Sequence, residues 1–80
     1  METKKKDDRK LLGSQIEDRI LEYIKEKPLE VGDRLPNEFE LAEMFEVGRS
    51  TIREAVKGLV TKGVLQVRRG AGTYVSSLTP

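Results

Sequence analysis

The stretch Val47 to Gly63, VGRSTIREAVKGLVTKG, decides how the rest of the chain is read. Ile52, Ala55, Val56, Leu59 and Val60 fall at i, i+3, i+4, i+7 and i+8, the spacing of one buried stripe on a helix, and Gly63 stands where a left-handed C-cap is wanted. With that stripe turned inward, Arg49, Arg53 and Lys57 form a drifting basic row on the opposite side, and Ser50 and Thr51 lie beside the helix N-terminus. Such a helix offers its positive dipole end and free N–H groups to phosphates. Its small hydroxyls allow close approach, and its guanidinium forks fit guanine O6 and N7. An ordinary solvated basic face would carry the same residues, so the flanking segments decide between the two.

Upstream, Asn37 followed by Glu40 is a cap signature, and Leu41, Ala42 and Phe45 supply the buried face of a short helix over about Glu38 to Phe45. Only Glu46, Val47 and Gly48 separate it from the next helix, which is helix-turn-helix spacing. Further upstream, Leu12, Ile16, Ile20, Leu21 and Ile24 keep helical spacing, Ser14 and Glu17 form a capping-box pattern, and Pro28 stops the run. This predicts a first helix from Gln15 to Lys27, then a loop over Leu29 to Leu35 turning at Gly32 and Asp33. Residues 1–10 are almost wholly polar and are expected to form a mobile arm whose Lys4, Lys5 and Lys6 serve solvation.

Downstream the period changes. Val64 to Arg68 and Thr73 to Ser76 are rich in β-formers, and Arg69, Gly70, Ala71 and Gly72 make a tight turn between them. The result is a β-hairpin with a basic, glycine-rich tip, its Leu65, Val67, Tyr74 and Val75 available to pack on the helices. Gly70 and Gly72 let the backbone approach a sugar-phosphate chain closely, with Arg68 and Arg69 nearby for phosphate or a groove floor. A strand follows these glycines, so no helix N-terminus is offered to a dinucleotide. A short helix, a basic helix and a basic hairpin in that order make the fold mainly α with a small β-hairpin, a winged helix-turn-helix of three helices and a two-stranded antiparallel wing, and they turn the basic row into a DNA-facing one.

Composition narrows the function classes. The chain has 80 residues, with 36% hydrophobic and 36% charged, enough for one small core. Without cysteine or histidine there is no disulfide, thiolate, His-ligated metal or histidine-based triad, so neither cofactor nor metal is expected and an enzyme is disfavoured. Glu38, Glu40, Glu43 and Glu46 read as a solvated face, and Tyr23, Phe39, Phe45 and Tyr74 as core and hinge packing. The net charge of +1 divides unevenly, with residues 36–48 carrying four acids and no base and residues 49–80 six bases and one acid. No segment has the apolar length of a membrane span or a secretory signal, and a cytoplasmic protein is expected.

The runs Leu35-Pro36-Asn37-Glu38, Leu41-Ala42, Val47 to Ala55, Leu59, Gly63 and Gly70-Ala71-Gly72-Thr73-Tyr74-Val75 together resemble the N-terminal DNA-binding domain of GntR-type bacterial transcription regulators over about residues 12–76. The resemblance implies that the third helix enters the major groove and the wing tip the adjacent minor groove of a near-palindromic double-stranded operator. By position, Arg49 and Arg53 would meet bases or phosphates, Ser50 and Thr51 phosphates, Arg69 and Gly70 the minor groove, and Asn37 the backbone beside the second helix. Lys57 and Gly72 complete the expected DNA-binding set. It also implies a ligand-responsive regulator, more often a repressor, whose effector-binding and dimerisation domain would follow a linker starting at residues 77–80. The full-length protein would then be a homodimer and the isolated domain a monomer. Two positions depart from the pattern. Phe39 stands where family members often have arginine, and Gly48 where serine or threonine usually begins the third helix. The competing expectation is a winged helix that docks an acidic protein partner through the same basic face, which differs from DNA reading in salt dependence and in its response to Arg53→Ala.

Overall fold

The computed structural model describes residues 5–77, with side chains from residue 12 onward. Its elements are α1 (Lys5–Glu26), α2 (Glu38–Phe45), α3 (Arg49–Thr61), β1 (Leu65–Arg68) and β2 (Gly72–Val75). This is the winged helix-turn-helix expected from the sequence, with α2 and α3 at their expected places.

The core forms where three helical stripes meet the base of the hairpin. Ile16, Ile20 and Ile24 of α1, Leu41 and Ala42 of α2, and Ile52, Ala55 and Leu59 of α3 are buried together with Leu35, Val64, Leu65 and Val75. Leu12, Leu21, Leu29, Phe45, Val47 and Val56 close its rim. A period near 3.6 shows which side chains share a face, and the three stripes fall as expected except at Val60, which is 38% exposed at the edge of the α3 stripe.

Helix α1 begins ten residues before the expected Gln15. No proline interrupts Lys5 to Lys27, and Lys, Arg and Leu are good helix formers, so the helix runs through Gly13 and Ser14 rather than starting there. The Ser14–Glu17 pattern is therefore not a capping box. Glu17 instead reaches across to the end of α3, where its Oε1 accepts from Nζ of Lys62, the residue that follows the helix, at 2.6 Å. Its carboxylate also occupies the space where a Cβ on Gly58 would sit. Of the polar arm expected over residues 1–10, residues 5–10 are helical and the first four lie outside the described residues.

The cap of α2 is the reciprocal one the sequence announces. Glu40 N donates to Asn37 Oδ1 at 2.9 Å, and Asn37 N donates to Glu40 Oε1 at 2.9 Å. Helices α2 and α3 end alike. Val47 N reaches Ala42 O at 3.1 Å and Val64 N reaches Leu59 O at 2.9 Å, each across a residue of positive φ. At the end of α3 that residue is Gly63, whereas at the end of α2 it is Glu46, with φ 57 and ψ 47. The left-handed backbone that fixes the α2–α3 turn is thus held by a residue with a Cβ, at about 1 kcal/mol relative to glycine.

The segment expected as a plain loop pairs with β2. Gly32 N donates to Val75 O, Val75 N to Asp33 O and Leu35 N to Thr73 O, all at 2.8 Å, and Arg34 bridges antiparallel to Tyr74. The hairpin itself runs Leu65↔Val75, Gln66↔Tyr74, Val67↔Thr73 and Arg68↔Gly72. A two-stranded ribbon is marginal alone, and this third backbone stretch covers one of its edges. Leu65 and Val75 are buried at the base of the wing, but Val67, expected to pack inward, is 58% exposed because the hairpin projects past the helices.

Asn37→Ala is expected to lower stability by about 1 kcal/mol through loss of the cap, and Glu46→Gly to raise it by about 1 kcal/mol through relief of the left-handed backbone. Urea unfolding should show midpoints displaced in opposite directions with m unchanged.

Candidate nucleic-acid interface

With Ile52, Ala55 and Leu59 at 0% exposure on its inner side, α3 turns Arg49, Arg53 and Lys57 outward. Gly48 begins the helix in extended backbone (φ −73, ψ 157) without any side-chain cap, and no acidic residue lies in the first turn. The positive end of α3 is therefore left uncompensated within its own helix, with the exposed Ser50 and half-buried Thr51 beside it.

The arginines of α3 are held by α2. Arg53 Nε and Nη2 donate to Glu38 Oε2 and Oε1 at 3.2 and 3.3 Å, a fork-to-fork pair. The hydrogen bond and the charge of Arg53 hold the Glu38 carboxyl below its ordinary range, and Arg53 is raised in turn by the same contact. The pair engages one edge of the guanidinium and leaves Nη1 outside these contacts. One turn earlier, the Arg49 guanidinium lies over the Phe39 ring at 4.3 Å from its centroid. Two successive residues of α2 thus meet two arginines four residues apart on α3.

This corrects two sequence readings. Glu38 is not merely part of a solvated acidic face, and Phe39, 64% exposed, is not core packing. Neither partnership has a local signal, since Glu38 and Arg53 are fifteen positions apart and only the crossing of α2 over α3 joins them.

The remaining candidates divide. Lys57 is exposed on the flank of α3 that faces α1, beside Gly13, Ser14 and Gly58, away from the Arg49 and Arg53 pairs. Asn37 is exposed but already uses its Oδ1 and its backbone N–H in the α2 cap.

In the wing, Ala71 N donates to Arg68 O at 2.9 Å and Gly70 takes φ 75, so Arg68 to Ala71 form a tight turn that requires glycine at its third position. Tyr74 Oη donates to Ala71 O at 3.3 Å, and the Arg68 guanidinium stacks on the Tyr74 ring at 4.6 Å. Gly72 has φ 127, and Arg34 Nε passes so close that a Cβ there would come within 2.7 Å of it. Arg34, a loop residue by its local sequence, therefore adds its guanidinium to the wing strand that also holds Arg68 through Tyr74, while Arg69 is exposed at the tip. A groove of about 180 Å³, lined by Pro36, Glu38, Ile52, Arg53, Val67 and Thr73 among others, runs between this wing and α3.

Among the described residues, no helix is long and apolar enough to cross a membrane. A protruding basic helix, an uncompensated helix end and a stiff arginine-bearing hairpin on one molecule are complementary to the grooves and phosphates of a duplex.

Known proteins similar to this chain in sequence and fold agree with that description. Residues 12–75 match the family described as bacterial regulatory proteins, gntR family. The mannosyl-D-glycerate transport/metabolism system repressor MngR of Escherichia coli is 46% identical over 66 residues, covering 82% of this chain and 28% of the repressor. A solved structure of Streptococcus agalactiae GntR superposes with a TM-score of 0.77 at 57% identity, covering 81% of this chain and 32% of that one. The DNA-binding domain of AraR, solved in complex with operator ORX1, superposes with a TM-score of 0.74 at 34% identity, covering 80% and 77%. The chain thus spans about a quarter to a third of the length of the full regulators it matches. With a family match over most of its length and the winged-helix fold beneath it, this chain belongs to the GntR family of bacterial transcription regulators, of which it is a DNA-binding domain.

Proposed function

We propose that this domain reads one half of a near-palindromic operator in double-stranded DNA for a ligand-responsive regulator, α3 entering the major groove and the wing tip the adjacent minor groove. The observation that carries the reading is the pair of contacts by which α2 holds the two outward arginines of α3, since reading a base edge requires a guanidinium fixed before it arrives. Arg53 and Arg49 meet base edges or phosphates, and Ser50, Thr51 and the N–H groups beside them meet phosphates. Arg69 and Gly70 reach the minor groove, with Gly72 admitting the close backbone. Lys57 and Asn37 contact the sugar-phosphate backbone at the two ends of the footprint.

The DNA-binding domain of AraR, alike in fold and solved in complex with an operator, supports duplex DNA as the ligand. The repressor MngR supports negative control as the mode of regulation. MngR and Streptococcus agalactiae GntR are each about three times as long as this chain, which supports placing effector binding and dimerisation outside the DNA-binding domain. Two heads then face half-sites one helical turn or a multiple apart, in the cytoplasm, and without catalysis or a cofactor.

Selection from a random duplex pool at moderate salt should enrich a half-site with wild type, and Arg53→Ala should relax it at one or two positions, with discrimination there reduced by about 1–3 kcal/mol. Arg69→Ala should weaken all sequences alike and reduce the slope of log K against log salt by about one. Glu38→Ala should raise affinity for random duplex while narrowing its gap from the selected site, since it removes both a repelling charge and the fork that orients Arg53. An unenriched pool together with salt-insensitive binding would exclude the reading.

A further inference from the structure

We infer that Phe39 is a specificity-determining residue that reads the 5-methyl group of a thymine next to the base met by Arg49. The inference rests on the DNA-reading proposal and deepens it.

Three observations lead there. Phe39 is the most exposed of the large hydrophobic side chains among the described residues, at 64%, although α2 has a buried face of Leu41 and Ala42 with Phe45 at its rim. Its ring is packed against the guanidinium at the first residue of α3, so it stands on the basic side of the helix-turn-helix rather than against the core. That contact places the cation over the ring at 4.3 Å without using a hydrogen bond, so the guanidinium N–H donors stay available to a base. Ring and fork therefore travel together, the fork donating to one base edge and the ring lying over its neighbour.

A phenyl ring neither donates nor accepts an ordinary hydrogen bond. On the floor of a major groove, the apolar group that distinguishes one base pair from another is the thymine C5-methyl. Arginine at this position would select an acceptor such as guanine; phenylalanine selects a methyl. Cytosine qualifies only when methylated at C5.

The test uses the 80-residue chain and the duplex it selects. Each thymine is replaced in turn by deoxyuridine, which deletes one methyl and nothing else, and Kd is measured by fluorescence anisotropy for wild type, Phe39→Ala and Phe39→Leu. Wild type should lose roughly fourfold at one position, the loss expected for one methyl removed from an apolar contact. Phe39→Ala should show no loss there, while Phe39→Leu, which keeps an apolar side chain without the ring, retains part of it. A 5-methylcytosine at that position should bind wild type better than cytosine does.

Equal uridine penalties for wild type and Phe39→Ala at every position would overturn the inference while leaving sequence-specific binding intact, with Phe39 then serving only as a prop for Arg49. If no duplex is enriched at all, the DNA-reading proposal fails and this inference with it. Far-ultraviolet circular dichroism of the two variants should match wild type, since the substituted side chain is largely in solvent.

Discussion

The inner stripe of α3 is the constraint on which the remaining features turn. Ile52, Ala55 and Leu59 have no exposed surface, and they meet the isoleucines of α1 on one side and Leu41 on another. A helix gripped on one stripe loses rotation about its own axis. The outward direction of Arg49, Arg53 and Lys57 is then a consequence of core packing rather than of any property of the basic residues. A polar side chain at position 55 would disturb the surface chemistry from inside, by turning the rod that carries it.

Against that fixed helix, α2 acts as a jig. Its reciprocal Asn37–Glu40 cap starts it at a defined residue, its left-handed Glu46 stops it at another, and the two positions just inside the cap reach α3. Long side chains on a surface normally lose rotamer entropy when a ligand immobilises them. Here part of that loss is taken on folding, by a fork and by a stack. The two devices differ in kind. The Glu38 fork is a charge competing with phosphate for the same guanidinium, whereas the Phe39 stack adds orientation without a competing charge.

The sequence was most legible where the physics is local. Helical periods gave the buried stripes of the three helices apart from Val60, the Asn37–Glu40 spacing gave the α2 cap, and glycines 70 and 72 gave the turn of the wing. It was misleading where a local pattern had a distant competitor. Ser14 and Glu17 have the spacing of a cap, but helix-forming residues before them let α1 continue and left Glu17 free to cross to Lys62. It was silent where two segments meet only in space: the backbone of residues 32–35 against β2, Arg34 over Gly72, and the α2 partners of Arg49 and Arg53. Of the candidate site residues, those on α3 and at the wing tip came from pattern. The residues that orient them did not, because a side chain paired across fifteen positions leaves no trace in either neighbourhood.

The crossing of Glu17 onto Gly58 carries a consequence for how this chain can vary. The carboxylate fills the volume a Cβ would need and is kept there by Lys62. An alanine at 58 would gain helix propensity and at the same time displace the Glu17 carboxylate that pairs with Lys62, so the size of the change depends on what stands at 17. Positions 17, 58 and 62 are therefore epistatic. Shortening residue 17 first leaves room for a Cβ at 58, whereas the reverse order requires the flexible end of Glu17 to swing aside from its place beside Lys62.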